Sequence, residues 1–213
     1  KKLVILVVGE TARAKNFSLN GYDRETNPLL AQIKNVLSYS QVYSCGTETA
    51  VSVPCMFSKF SREDYHKHDG AQYENVLDLL KRAQVRVLWR DNDSGCKGVC
   101  DRVETEDFSN AKLAPYCNED GCYDEVLLHN LQAKVDNHYD HTLVVLHQIG
   151  NHGPAYFKRT QEKFKKFVPE CASKQLSDCT NDKIVNAYDN AILYTDYFLS
   201  QAIRFLQNNQ DKY

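Results

Sequence analysis

No stretch of this chain is long and apolar enough to cross a bilayer: the continuous run Leu3–Val8 (LVILVV) has six residues, where a spanning helix needs about 20. No export signal precedes it. Residue 1 begins almost inside the run, so the start reads as a cut point, with a natural chain expected to extend upstream. Neither sign of charge is in excess. The 26 Lys and Arg against 28 Asp and Glu leave a formal net charge of −2, so no basic field marks a nucleic-acid partner and no acidic tail marks a solvating segment. Internal repeats, low-complexity tracts and linkers are also missing. The 213 residues, 42% hydrophobic and 25% charged, are ordinary for a single globular domain with a real core, taken as a monomer.

Cysteine is what the chain has in quantity. Its eight cysteines fall into four close pairs: Cys45 with Cys55, Cys96 with Cys100, Cys117 with Cys122, and Cys171 with Cys179. Structural zinc favours two-residue spacers and grouped Cys/His ligands, and none of these pairs has that spacing. Free buried thiols fit poorly with the loop-like surroundings of Cys96, Cys117 and Cys171. The pattern predicts four small-loop disulfides and an oxidising compartment.

Three β-rich runs, Leu3–Val8, Val85–Trp89 and Thr142–Leu146, suit strands buried on both faces; Tyr39–Tyr43 is a weaker, alternating candidate. Helical patterns lie between them. One starts at Asn27-Pro28. Others cover Glu48–Lys59, with Pro54 near its start, Tyr73–Gln84, with Val76, Leu77, Leu79 and Leu80 on one side, and Asp124–Val135. The longest, Asn181–Gln207, keeps Ile184, Ala187, Ala191, Tyr194, Phe198 and Ala202 in helical register. Strands alternating with helices predict an α/β fold, a mostly parallel central sheet with helices on both faces. Segments 91–121 and 150–180 read as irregular excursions stapled by disulfides. The chain stops soon after a long helix, where an α/β domain would return to the sheet, so truncation at both ends is expected.

Parallel α/β sheets build their sites at the carboxyl ends of strands. There the sequence places Gly9-Glu10-Thr11-Ala12-Arg13, Cys45-Gly46-Thr47-Glu48-Thr49, Arg90-Asp91-Asn92-Asp93-Ser94 leading to Lys97, and His147-Gln148-Ile149-Gly150-Asn151-His152. Each has an ordinary reading. Glu10 is equally a solvated loop charge, Thr47 a helix cap, Thr49 a first helical residue, His147 a hydrogen-bonded core histidine, His152 a turn residue and Lys97 an exposed lysine. Their convergence on one sheet edge favours chemistry. Glu10 offers a hard oxygen to a metal. The hydroxyl of Thr49 needs a metal or a base before it attacks, and a helix N-terminus beneath it favours developing phosphate charge. His147 and His152 suit metal binding, phosphate hydrogen bonds or proton donation, and Lys97 suits a phosphate.

At these residues the sequence resembles the lipid A phosphoethanolamine transferases, which include the colistin-resistance enzymes, within the alkaline phosphatase–sulfatase superfamily. VVGETARA, SCGTETAVSVPCMF, LWRDNDSGCKG and LHQIGNHGPAYFKR carry the resemblance, and GYDRETNPLL, YENVLDLL and NAYDNAILYTD extend it almost end to end. The resemblance implies an alkaline-phosphatase-like fold and a zinc-dependent, two-step transfer at the periplasmic face of the bacterial inner membrane. Thr49 takes phosphoethanolamine from phosphatidylethanolamine and passes it to a lipid A phosphate. By motif match Glu10 and Thr49 are zinc ligands. Thr47, Ser94, Lys97, His147 and His152 line the substrate site, and His152 is the candidate ligand of a further zinc. Asp93 stands where some relatives carry Asn. The pair Cys96–Cys100, absent from some relatives, stiffens the loop that bears Lys97. The family's N-terminal membrane helices and its Asp-His zinc ligands in an S-D-H-G-type motif have no match in these 213 residues.

Rival readings are another enzyme of the superfamily (a phosphatase, sulfatase or phosphoglycerol transferase) and a non-catalytic extracytoplasmic binding module. Sulfatases usually carry a Cys or Ser converted to formylglycine where this chain has Thr49. Because the Asp-His pair is not in it, the 213-residue chain on its own is expected to bind zinc weakly. Calorimetric titration with zinc checks this; tight one-site binding would contradict it.

Overall fold

The computed structural model describes residues 1–136 and 139–213. In chain order its elements are β1 (Lys2–Val8), α1 (Thr49–Phe57), α2 (Asp69–Gln72), α3 (Val76–Arg82), β2 (Arg86–Asp91), β3 (Glu104–Asp107), the two-residue strands β4 (Cys117–Asn118) and β5 (Gly121–Cys122), α4 (Leu131–Val135), β6 (His141–His147) and α5 (Asn181–Gln207), joined by loops and short 3-10 turns. Four strands form one sheet in the order β1-β6-β2-β3, and every pairing in it is parallel. The fold is the α/β arrangement the sequence predicts.

Strand alternation divides the core in two. Leu143 and Val145 of β6 point to one face, where they join Val53 and Phe57 of α1, Leu77 of α3 and Trp89 of β2. Val144 and Leu146 point to the other and meet Leu131 and Val135 of α4 and Phe198 of α5. The apolar run of β6 is therefore continuous because both of its faces are covered.

Several expectations change in the structure. Tyr39–Tyr43 is not a strand. Tyr39, Val42 and Tyr43 are each more than 70% exposed, and among the described residues no strand pairs with them. The stretch after Asn27-Pro28 forms only a 3-10 turn, Leu30–Gln32; Asp196 of α5 accepts from the Leu29 and Leu30 N–H groups at 2.9 and 3.0 Å. Asp124–Val135 breaks at Asn130 (φ +54°) into a 3-10 turn and α4. On α3 only Leu77 is fully buried, and Val76 and Leu79 are exposed. The acidic edge strand β3 (Glu-Thr-Glu-Asp) has no apolar signal. Ion pairs hold it: Arg86 to Glu104 at 2.7 Å, and Arg90 and Lys134 to Glu106. Charge along an edge also discourages pairing with other chains.

All four close cysteine pairs are bridged. The long helix α5 has the predicted bounds, but its buried face is partly polar. Asp189 accepts from Asn16 and Tyr22 at 2.8 Å and pairs with Arg24 at 3.1 Å. Asn190 bonds the backbone of Phe167 through both its oxygen and its nitrogen. These groups give α5 a second task, fixing the loops that follow β1 and precede the helix itself. Replacing Phe198, fully buried against Val144 and Leu146, with Ala is expected to lower stability by about 3–5 kcal/mol. At Val185, 36% exposed, the same replacement should stay within about 0.5 kcal/mol; urea unfolding measures both.

Candidate active site

Register sets the site. Val8 of β1 and Asp91 of β2 both lie beside His147 of β6, so three strands end level and their loops emerge together. The first of these loops turns at Thr11 (φ +49°) and is pinned from α5. The Tyr188 hydroxyl donates to the Thr11 carbonyl at 2.6 Å and accepts from the Arg13 N–H at 2.9 Å. Burial pushes that phenol up to about 12, so it stays protonated. Gly150 lies against the backbone of Glu10: a Cβ there would stand 2.8 Å from the Glu10 oxygen, and its φ is +47°. Only glycine allows this approach.

Glu10 and Thr49 meet. The Thr49 hydroxyl donates to Glu10 Oε2 at 2.9 Å, and the Thr11 hydroxyl donates to Oε1 at 2.5 Å. Thr49 is the first residue of α1, where the leading N–H groups of a helix have no partner within it. The cap position falls on Glu48, which makes no side-chain cap bond. Thr47, which the resemblance assigns to the substrate site and whose ordinary reading is a cap, lies one residue before the cap position and is exposed. The bridge Cys45–Cys55 ties the preceding loop to the helix body.

His147 completes a cluster. It is fully buried; its Nδ1 lies 2.9 Å from Asp91 Oδ2 and its Nε2 lies 3.8 Å from Asp93 Oδ2. Asp91 also accepts from the Trp89 indole at 2.8 Å and, through Oδ1, from the Asp93 and Gly95 N–H groups. Burial pushes the Asp91 carboxyl up, but the bonds from His147, Trp89 and Asp93 outweigh it and hold the group below the usual carboxylate range. An ionised Asp91 takes the Nδ1–H and leaves the lone pair on Nε2. That nitrogen is buried without a hydrogen-bond partner. Ligand atoms of Glu10, Asp93 and His147 all lie within 4.8 Å of one another. Two carboxylates and an orphaned imidazole nitrogen make a donor set that fits zinc, and the Asp91–His147 bond is the kind that orients a metal-binding histidine.

Asp124 underlies both loops. It is buried and accepts from the Ile149 and Gly150 N–H groups at 2.9 and 3.0 Å, from Asn92 at 2.9 Å and from Gln148 at 3.2 Å. Burial pushes its carboxyl up, and these four donors oppose that. The sequence offered Asp91 only as part of the loop after a strand and Asp124 only as the start of a helical pattern, with nothing local to show what either carboxylate bonds.

Two of the remaining predicted residues lie on a cleft of about 240 Å³ that abuts the cluster through Asp93. Ser94 and His152 line it. Lys97 reaches back to the Ser94 carbonyl and hydroxyl at 2.6 and 2.7 Å. His152 stands outside the Glu10–Asp93–His147 group, with Nδ1 2.9 Å from the Gly153 carbonyl. His147, expected to line the substrate site, lies instead beneath the surface within the donor group. No described helix is long and apolar enough to cross a membrane.

Known proteins resemble this chain in sequence and fold. The chain is 49% identical, over its whole length, to phosphoethanolamine transferase EptA of Escherichia coli K12, of which it covers 39%. It therefore spans about two fifths of that relative's length. The soluble domain of lipooligosaccharide phosphoethanolamine transferase A from Neisseria meningitidis superposes with a TM-score of 0.94 at 45% identity, over 98% of this chain and 63% of that one. The periplasmic domain of EptC from Escherichia coli, in complex with Zn, shares the fold at 21% identity and a TM-score of 0.77, over 98% of this chain and 60% of that one. Residues 2–213 match the profile of the Sulfatase family; the chain belongs to that family, on the branch that holds the phosphoethanolamine transferases.

Proposed function

We propose that residues 1–213 form the core of a periplasmic catalytic domain that transfers phosphoethanolamine from phosphatidylethanolamine to a lipid A phosphate, through a covalent intermediate on Thr49. The observation that carries the reading is the 2.9 Å bond from Thr49 to Glu10, at the half-buried edge of a group of candidate metal donors. The relatives EptA and lipooligosaccharide phosphoethanolamine transferase A support it, as do the disulfides, which require an oxidising compartment. Membrane attachment belongs to the intact protein. Its expected consequence is resistance to cationic peptides such as polymyxin and colistin, because each transferred group adds an ammonium to the lipid surface.

Glu10, Asp93 and His147 would hold zinc beside Thr49. Zinc supplies a lowered hydroxyl pKa and neutralises phosphate charge. Thr49 Oγ attacks the donor phosphorus, and Glu10, which already accepts its hydrogen bond, draws off the proton. The bond from phosphorus to the diacylglycerol oxygen breaks, and that oxygen takes a proton from His152 in the cleft. In the second step a lipid A phosphate oxygen attacks the same phosphorus; Thr49 leaves and takes back the proton held by Glu10, while His152 regains a proton from the acceptor phosphate or from solvent. The free N–H groups at the head of α1 face the charge that develops. Ser94, Lys97 and Thr47 are assigned to holding the substrate.

Mass spectrometry of the intact protein incubated with phosphatidylethanolamine is expected to find a phosphoethanolamine adduct on Thr49. Thr49→Ala should abolish both the adduct and turnover. Turnover without any Thr49 adduct would overturn the covalent route, and release of free phosphoethanolamine to water in place of transfer would make the protein a hydrolase. Glu10→Gln and His147→Ala should each lower zinc content as measured by metal analysis. Asp124→Asn presents an NH₂ group to N–H donors and should cost about 1–3 kcal/mol. Amide hydrogen exchange at Ile149 and Gly150 should quicken with it; unchanged exchange would remove Asp124 from its positioning role.

A further inference from the structure

One cation in the cleft has no counter-charge in contact. Arg159 follows the 3-10 turn Tyr156–Lys158, and its Nε donates to the His152 carbonyl at 2.7 Å. Its two terminal nitrogens bond no group among the described residues, and no described carboxylate pairs with it. The neighbouring Lys158 is already taken by Asp120. Arg159 lines the cleft together with Ser94, Asp93 and His152. Burial acts against its charge, while Asp124, Asp93 and Asp120 support it from further off. An arginine remains charged in proteins, so the cleft presents an unspent, partly desolvated guanidinium edge.

The turn holds that edge in place. Tyr156 packs edge-on to Tyr188 with centroids 5.4 Å apart, and it fills the space beside Gly153, where a Cβ would stand 2.9 Å from the tyrosine hydroxyl. With Nε committed to a carbonyl, the Nη pair is left as a fixed two-pronged donor, the form that matches two oxygens of a phosphate. The volume of about 240 Å³ lies below the usual range for whole small-molecule ligands, which suits a phosphoryl group with a short substituent.

We propose that Arg159 is a phosphate-binding residue, whose free guanidinium edge takes two oxygens of a phosphate seated in the cleft between Ser94 and His152, beside Asp93. Which phosphate arrives there, the donor's diester or the acceptor's monoester, rests on the transferase reading; that an oxyanion binds does not. The Ser94 hydroxyl, which accepts from Lys97 at 2.7 Å, is a second polar group lining the same cleft.

Titration of the intact, chelator-treated protein with inorganic phosphate tests this without turnover. Arg159→Gln is expected to weaken phosphate binding at least tenfold while the melting temperature moves only a few degrees, and Arg159→Lys should recover part of the loss. Should the Gln variant fail to fold, the Lys variant alone should still bind phosphate several-fold more weakly, since it keeps charge but loses the fork. If Thr49 loading slows in the variants, the cleft takes the donor's diester. If loading is unchanged and the KM for acceptor rises at least tenfold with kcat nearly constant, it takes the acceptor's monoester. Phosphate affinity within twofold of the unsubstituted protein in both variants would overturn the inference. Arg159-dependent phosphate binding in a protein that never loads Thr49 would sink the transferase reading and leave this one standing.

Discussion

Parallel pairing of β6 with β1 on one side and β2 on the other, in the register that aligns Val8, His147 and Asp91, is the constraint on which the site rests. Side chains along a strand alternate between faces, so a slip of one residue would send His147 to the opposite face and leave Glu10 without it. The register is strongly specified because β6 is buried on both sides. Leu143 and Val145 belong to the core with α1 and α3, Val144 and Leu146 to the core with α4 and α5, and shifting the strand would empty both at once. Hydrophobic packing thereby fixes the relative positions of groups that would otherwise repel.

That repulsion is considerable. Glu10 and Asp93 bring ligand oxygens within 4.8 Å, a separation at which two unit charges repel by roughly 3 kcal/mol at an effective dielectric near 20. The protein spreads the cost. Asp91 takes a proton donor from each of His147 and Trp89, and Asp124 is surrounded by four donors. Glu10 receives two hydroxyls. None of these donors carries a full positive charge at Glu10 or Asp93, and Lys97 is turned back to Ser94. A divalent cation held among Glu10, Asp93 and His147 would balance the cluster, and the same cation would activate the adjacent Thr49.

The sheet, the long helix and the cysteine bridges were legible because each rests on a local signal: β-rich apolar runs, a helical period over Asn181–Gln207, and pairs of cysteines close in sequence. Glu10 and Thr49 were legible as residues expected to meet at one site, and they do meet; His147 was legible at the end of a predicted strand, though its bond to Asp91 was not. What the sequence concealed depends on distant pairing. Strand β3 is stabilised by charges facing Arg86 and Arg90, so it lacks the apolar period that marks a strand. Asp124 bonds Asn92 and the loop after β6, more than twenty residues away in either direction. Tyr39–Tyr43 alternates like a strand and yet pairs with none of those described, because alternation measures amphipathicity and not the presence of a neighbour.

The polar face of α5 shows why such hidden pairing matters to chemistry. Tyr188 holds the Thr11 carbonyl through its hydroxyl, while its own carbonyl accepts from Asn151 Nδ2 at 3.1 Å. Asn151 N–H in turn donates to the Glu10 carbonyl at 2.9 Å. One turn of helix therefore fixes the loop bearing Glu10 and the loop bearing His152 to each other. Tyr156, packed on the same tyrosine ring, extends the contact to the turn that ends at Arg159. The Glu10–Asp93–His147 group and the cleft beside it thus share a backing, and neither wall can shift without straining bonds made to the same residue. The proposed two-step transfer would need this: Thr49, the Glu10–Asp93–His147 group and Arg159 would have to keep their spacing while first one partner and then another occupied the space between them.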